Sequence, residues 1–168
     1  RELIKVKADP AFSLSASPCR PLSRGHVKLR AADASVAPEI QPNLLAAPED
    51  MAEIVEAAQL MRRYAATKAL GAIIRSETKP GARAQSDAEF AAYVRESSYS
   101  IFHPSGTCRM GPVPGEAVVD AELRVHGLGG LRVIDASIFP SIPSANTNAP
   151  TMMVAEKGAG FVLGATAG

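Results

Sequence analysis

The C-terminal stretch predicts a helix that is apolar on nearly every face, and this helix constrains the fold most. A loop rich in Pro and Asn leads into residues 149–164, where only Glu156 and Lys157 interrupt small and apolar residues. A surface helix of a small domain normally carries one apolar stripe, whereas an all-round apolar helix is buried. A chain of 168 residues offers little surface to cover it. We therefore expect a further domain to cover this helix, and the start at Arg1 rather than Met agrees with a fragment.

The preceding chain predicts helices and short strands. Six prolines in the first 48 residues leave no room there for a long helix, while residues 26–30 alternate as a half-buried strand. Residues 48–70 carry an apolar stripe at helical spacing, with acidic residues at the start and basic residues at the end. Ser86 and Glu89 form a capping box, and the helix that it begins is expected to end near Ser97.

The last third of the chain predicts a small set of buried strands before the final helix. Short strands are expected over 118–119, 123–127 and 131–138, and the last of these reads as a run buried on both faces. Asn148 is the expected N-cap of the final helix, and Pro150 is tolerated in its first turn.

Charge and cysteine content exclude several classes of function. Lys and Arg number 18 against 17 Asp and Glu, and a net charge of +1 argues against a nucleic-acid or anionic-membrane binder. No apolar run reaches the roughly 18 residues that span a bilayer. Cys19 and Cys108, with three histidines, are too few for a zinc cluster, so no metal site is expected. We expect free thiols in a reducing compartment, which favours a cytoplasmic protein, and a disulfide between the two cysteines is the alternative.

The densest group of chemically capable residues comprises His103, Asn146 and Asn148. A histidine before a Pro-Ser-Gly-Thr turn is suited to act as a general base near neutral pH. The asparagine amides cannot take a proton, but they can donate to an oxygen that becomes negative. The residues alone leave a second interpretation open, in which His103 stabilises the turn and the asparagines form turns or helix caps.

Three glycines near the C-terminus have a spacing that superficially resembles a nucleotide-binding fingerprint. A true fingerprint lies between a strand and a helix. Gly158, Gly160 and Gly164 lie instead inside the predicted final helix or at its end. We therefore interpret them as residues that allow close helix packing.

Four segments form one long signature in a fixed order. They are PLSRGHVKLRAAD at 21–33, HPSGTCRMG at 103–111, VVD at 118–120 and LRVHGLGGLRVIDASIFPSIPSANTNAPTMMVAEKGA at 123–159. These segments closely resemble the C-terminal signature of the glucose–methanol–choline (GMC) oxidoreductases, and in particular of the choline dehydrogenase-like branch. The resemblance implies the C-terminal portion of an FAD-dependent alcohol oxidoreductase that oxidises a primary alcohol to an aldehyde.

The resemblance also implies a fold of the α+β class. Residues 1–104 would be part of a substrate-binding domain, an antiparallel sheet with flanking helices. Residues 105–168 would supply the strand and helix that complete an FAD-binding α/β domain. The N-terminal FAD-binding domain of the same protein would then be a partner that holds most of the FAD, and the isolated chain would be inactive.

The resemblance assigns roles residue by residue. His103 matches the active-site histidine that takes the proton of the alcohol while hydride passes to flavin N5. Asn146 matches the second active-site position, where many relatives carry His and choline-type members carry Asn. The positions that match residues beside the FAD are Asp135, Ala136, Asn148, Pro150 and Thr151. Ile101 lies two residues before His103, so in a strand it would face the same side and line the substrate pocket.

The implied substrate is a small-molecule alcohol, and a quinone or another electron acceptor is a further partner expected of a dehydrogenase. A different class of function stays open at this point. The chain could be a free-standing module of the same fold that binds or supports without catalysis. A G-x-G-x-x-G strand–turn–helix upstream would favour the enzyme, because that unit binds the dinucleotide.

Overall fold

The computed structural model describes residues 10–164, and backbone contacts group the chain into two units. Unit 1 comprises Arg1–Pro18 and Met51–Ser97, and unit 2 comprises Cys19–Asp50 and Ser98–Gly168. The domain boundary expected between residues 104 and 105 concerns a parent enzyme and stays a prediction. Among residues 10–164, no helix combines the length and apolar character needed to cross a membrane.

Within residues 10–164, four α-helices account for most of the regular structure: α1 (Pro48–Ala65), α2 (Lys68–Gly71), α3 (Asp87–Ser97) and α4 (Asn148–Leu163). The single helix expected over 48–70 is interrupted at Thr67, whose backbone is extended. The Thr67 hydroxyl donates to the carbonyl of Tyr64 at 2.8 Å. Such a bond competes with helix continuation, so a separate short helix follows.

The capping box at the start of α3 is confirmed. A carboxylate oxygen of Glu89 accepts the backbone N–H of Ser86 at 2.9 Å, and the backbone N–H of Glu89 lies 3.4 Å from the Ser86 hydroxyl. The N–H groups of Ser86 and Gln85 lower the pKa of Glu89. The local pattern therefore fixes where this helix begins.

Unit 1 is organised around Phe90 and Arg62. Val55, Ala84 and Phe90 form its buried cluster. The Arg62 guanidinium lies 4.6 Å from the centre of the Phe90 ring. It also donates to the carbonyls of Gly81 and Ala84 at 2.9 and 2.5 Å. The side chain of Arg62 thus binds the loop before α3 and packs over the Phe90 ring at the same time.

Unit 2 contains a two-stranded antiparallel ribbon of β1 (His26–Lys28) and β2 (Glu39–Gln41). The strand is shorter than the one expected over 26–30, and Leu29, which was expected to be buried on it, lies beyond its end and is 85% exposed. Val27 pairs with Ile40, and these residues are 49% and 66% exposed. Two strands alone form no core, so apolar residues on the ribbon stay open to solvent without a covering layer.

The three strands expected before the final helix do not form continuous ladders. The chain makes isolated bridges instead, including those of Val119 with Met110 and Val125. Leu123 and Gly127 have positive φ values of 65° and 78°, which interrupt extended backbone. Leu131 is 49% exposed, so the expectation of a run buried on both faces was wrong.

The core of unit 2 lies between these bridged segments and α4. Its buried residues are Val119, Leu123, Ile138, Phe139 and Val154. Gly158 of α4 approaches Ile134 so closely that an added β-carbon would lie 2.5 Å from Cγ2 of Ile134. The interpretation of Gly158 as a packing residue is therefore supported, whereas it was wrong for Gly160 and Gly164, where an added β-carbon would meet nothing within 4 Å. Four large apolar side chains of α4 remain exposed, namely Met152, Met153, Val162 and Leu163.

Asp50 is a buried carboxylate at the start of α1, with only 2% of its surface exposed. It accepts the backbone N–H groups of Leu22 and Ser23 at 2.7 and 2.8 Å, and the Ser23 hydroxyl as well. Burial alone would raise the pKa of Asp50, but the hydrogen bonds and the charge of Arg24 outweigh it and lower the pKa. The carboxylate thus anchors residues 22–23 in its ionised form.

We predict that Gly158→Ala destabilises the chain by about 1–3 kcal/mol, because the added methyl group collides with Ile134. Gly160→Ala is the matched control, since a β-carbon there meets nothing within 4 Å. That control should be neutral or stabilising by up to about 1 kcal/mol, because Ala favours helices over Gly. Thermal and urea unfolding measure both effects. Equal stabilities of the two variants would contradict the packing described.

We predict that Asp50→Asn costs about 2–3 kcal/mol, because the buried N–H donors lose an ionised acceptor. Glu49→Gln, at the exposed neighbouring position, should change stability far less. Since the folded pKa lies below the ordinary value, this contribution is complete above about pH 4 and is lost as pH falls through the folded pKa. Urea unfolding from pH 7 to pH 3 tests this. If the free energy of unfolding fell as much toward pH 3 in Asp50→Asn as in wild type, this role of Asp50 would be refuted.

Candidate functional site

The loop that carries His103 is held against the segment that carries Asp135 and Ala136. The backbone N–H of Cys108 donates to the carbonyl of Ser137 at 3.0 Å, and that of Met110 donates to Ile138 at 2.7 Å. These two bonds join parts of the signature that are far apart in sequence. The structure therefore brings the histidine loop and the 3₁₀ turn Ala136–Ile138 together.

Gly106 permits the close approach of this loop. Its φ of +88° is unfavourable for any residue with a side chain. An added β-carbon would also lie 3.3 Å from the carbonyl oxygen of Phe139. The backbone conformation of the HPSGT turn thus requires a glycine at this position, and this requirement is structural.

His103 is half-buried and forms one hydrogen bond with a side chain distant in sequence. Its Nδ1 lies 2.9 Å from the hydroxyl oxygen of Thr147. The other ring nitrogen, Nε2, has no hydrogen-bond partner within residues 10–164. The ring is therefore fixed at one nitrogen and available at the other, as a general base requires.

The residues immediately before His103 do not form the expected strand. Phe102 adopts a left-handed conformation with φ of 64°, and the Ser100 hydroxyl oxygen accepts its backbone N–H at 3.0 Å. Alternation of side chains between two faces does not hold across such a residue. Ile101 is exposed. The expectation that it lines a pocket depended on a strand that does not form, and it stays a prediction.

Thr147, and not Asn148, occupies the N-cap position of α4. The carbonyl of Thr147 accepts both the backbone N–H and the hydroxyl of Thr151, at 2.9 and 2.6 Å. Asn148 lies inside the first turn, and its amide nitrogen is 3.9 Å from the sulfur of Met152. The expectation that Asn148 caps the helix was wrong, whereas Pro150 lies in the first turn as expected.

Asn146 is exposed and directly precedes the threonine that contacts His103. No hydrogen bond joins its side chain to His103 within the described part of the chain. The loop that carries it is attached through Ser144, whose hydroxyl accepts from Arg20 at 2.8 Å. The structure thus places Asn146 in the chain next to the His103 contact without linking the two side chains directly.

Asp135 and Ala136 form a turn beside α4. One carboxylate oxygen of Asp135 accepts the backbone N–H of Ser137 at 2.7 Å, which caps the 3₁₀ turn. Ala136 packs against the core cluster that includes Val154 of α4. The hydroxyl of Ser137 is buried without a hydrogen-bond partner among the described residues. These positions have local structural roles, and their cofactor contacts stay predictions.

Sequence reasoning missed Thr147, which lies between the two asparagines that it singled out. Threonine is a favoured N-cap residue, and that signal was present in the sequence. Nothing local to the sequence indicates that its hydroxyl meets a ring 44 residues earlier. In the described residues, no group of three or more His, Cys, Asp or Glu side chains is arranged to hold a metal ion.

Comparison with known proteins adds a family-level finding. The sequence profile described as GMC oxidoreductase matches residues 21–155. The human protein named choline dehydrogenase, mitochondrial, is 44% identical over 155 residues, which cover 92% of this chain and 26% of that protein. The chain thus spans about a quarter of the length of this curated relative.

Solved structures show the same fold. A formate oxidase from Aspergillus oryzae matches with a TM-score of 0.82 and 31% identity, over 87% of this chain and 26% of the oxidase. An FAD-dependent oxidoreductase from Chaetomium thermophilum matches with a TM-score of 0.80 and 32% identity, over 85% of this chain and 25% of that chain.

Proposed function

The chain belongs to the GMC oxidoreductase family, and we propose that it is the C-terminal part of an FAD-dependent enzyme that oxidises a primary alcohol to an aldehyde. The observation that carries the proposal is the state of His103. Its Nδ1 is held by Thr147 at 2.9 Å, while its Nε2 has no partner among residues 10–164. A ring held in this way is prepared to accept a proton from a substrate.

The names of similar proteins support both the substrate class and the cofactor. The human relative at 44% identity is named a choline dehydrogenase, and choline is a primary alcohol. The Chaetomium neighbour is described as FAD-dependent, and the Aspergillus formate oxidase is described in terms of FAD modification. We extend the alcohol and the flavin to this chain on that basis.

The residues at the start of α4 fit a flavin. The first turn of α4 contains no acidic residue and has no side-chain cap. The N–H groups of Asn148 and Ala149 and the positive end of the helix therefore favour an electron-rich ring edge, whereas Pro150 has no N–H and that of Thr151 is bonded to the carbonyl of Thr147. The turn of Asp135 and Ala136 packs beside the same helix. When bound there, FAD would supply the acceptor for the hydride of the alcohol carbon.

His103 removes the hydroxyl proton of the alcohol at Nε2. This converts the neutral imidazole to an imidazolium that still carries the proton on Nδ1. Asn146 acts beside it as a donor, because an amide N–H stabilises the negative charge that develops on the substrate oxygen. One base is sufficient for the reaction, so an amide is chemically adequate at this position.

The exposed apolar side chains of α4 support a covering partner. Met152, Met153 and Leu163 are large and exposed, and exposed apolar surface of this kind is typical of an interface. We propose that the N-terminal FAD-binding domain of the same protein covers them and holds most of the FAD. The isolated chain is accordingly expected to be inactive, and a quinone or another acceptor is expected to reoxidise the flavin.

We predict that His103→Ala, in the flavin-loaded enzyme that carries this chain, slows flavin reduction by alcohol about 10²- to 10⁴-fold. The loss follows from removal of the base. His26→Ala is the matched control, since that imidazole lies on the β1–β2 ribbon and contacts Glu39. Anaerobic stopped-flow absorbance measures the rate. An unchanged rate in His103→Ala would refute the assignment and favour the turn-stabilising interpretation.

We predict that Asn146→Ala lowers kcat/KM for the alcohol by about 10²-fold, because the developing alkoxide loses a donor. Asn146→His should retain most of the activity, since imidazole N–H is also a donor. Steady-state kinetics with a primary alcohol measures both variants. An Ala variant as active as wild type would exclude an electrostatic role for this amide.

A further inference from the structure

The hydroxyl of Thr147 contacts a distant histidine ring instead of capping the helix that Thr147 begins. A threonine at an N-cap normally accepts a backbone N–H of the first turn, and this requires an extended backbone at the cap. Thr147 has φ of −71° and ψ of −10°, which is helical, and its side chain makes no capping hydrogen bond. Its hydroxyl lies instead 2.9 Å from Nδ1 of His103.

The backbone of Thr147 is fixed independently of that contact. Its carbonyl accepts two hydrogen bonds from Thr151, one from the backbone N–H at 2.9 Å and one from the hydroxyl at 2.6 Å. The first turn of α4 thus holds the residue in place. A hydroxyl on a fixed backbone can set the orientation of a ring, whereas one on a loose loop would follow it.

The role of the bond follows from which ring nitrogen carries a proton before and after the reaction. A ring that accepts a substrate proton at Nε2 must already carry its own proton on Nδ1. That N–H then donates to the Thr147 oxygen. After transfer, Nδ1 still carries a proton and still donates to the same oxygen. The ring therefore needs no rotation during the reaction, since the bond is satisfied in both protonation states.

We propose that Thr147 is a positioning residue that fixes the orientation and the Nδ1–H tautomer of His103, and so keeps Nε2 free for the alcohol. The catalytic part of this inference rests on the proposed function. The part that concerns the tautomer does not, because it is a property of the chain without substrate or cofactor.

The first test is a tautomer measurement by long-range ¹H–¹⁵N NMR on the 168-residue chain above the titration range of histidine. Wild type and Thr147→Ser should show a protonated Nδ1 and an unprotonated Nε2 on His103. Thr147→Val, which has the same shape without the hydroxyl, should shift the population toward the Nε2–H form. An identical His103 spectrum in Thr147→Val and wild type would overturn the proposal.

The second test is kinetic and uses the flavin-loaded enzyme that carries this chain. Thr147→Val should lower kcat by about 10- to 100-fold with KM changed less than about twofold, the range expected for loss of a hydrogen bond to a charged group. Thr147→Ser should restore activity to within about threefold of wild type. Thr67→Val, the same substitution in unit 1, is the control and should leave kcat unchanged.

The outcomes separate this inference from the proposed function. If Thr147→Ser loses as much activity as Thr147→Val, the loss does not depend on the hydroxyl but follows any change at this position, and the inference fails. If wild type binds flavin but oxidises no alcohol while the tautomer still depends on Thr147, the proposed function fails and the positioning role stands. If wild type is active and Thr147→Val matches it, only the positioning role fails.

Discussion

The pairing of the loop 103–111 with residues 137–138 is the interaction on which the site depends. Two backbone hydrogen bonds, from Cys108 to Ser137 and from Met110 to Ile138, set the position of that loop. Ile138 in turn packs in the same cluster as Val154 of α4. Through these contacts the histidine loop and the start of α4 share one rigid support, which is what allows two distant residues to meet at 2.9 Å.

Support of this kind explains why the site is made of ordinary backbone contacts with few polar side chains. His103, Thr147 and the start of α4 are each positioned by packing or by main-chain bonds, as at Gly158 and Gly106. Such a site holds its geometry without a network of charged side chains.

The features that could be predicted from the sequence depend on short-range chemistry. The capping box of Ser86 and Glu89, and the final helix with Pro150 in its first turn, follow from local rules, and the structure agrees. Features set by distant contacts were not predictable. The strands before α4 were wrong because Leu123 and Gly127 have positive φ values, which the alternation of apolar residues does not reveal. The contact of Thr147 was missed because its partner is 44 residues away.

The most direct test of flavin-dependent alcohol oxidation is an anaerobic absorbance spectrum of the full-length protein that carries this chain, taken before and after addition of primary alcohols. We expect bound oxidised flavin that is bleached by at least one primary alcohol in the wild-type protein. A protein that binds flavin tightly, yet is bleached by dithionite and by no primary alcohol, would contradict the proposed alcohol oxidation. A protein that binds no flavin at all would contradict the assignment of an FAD-dependent enzyme.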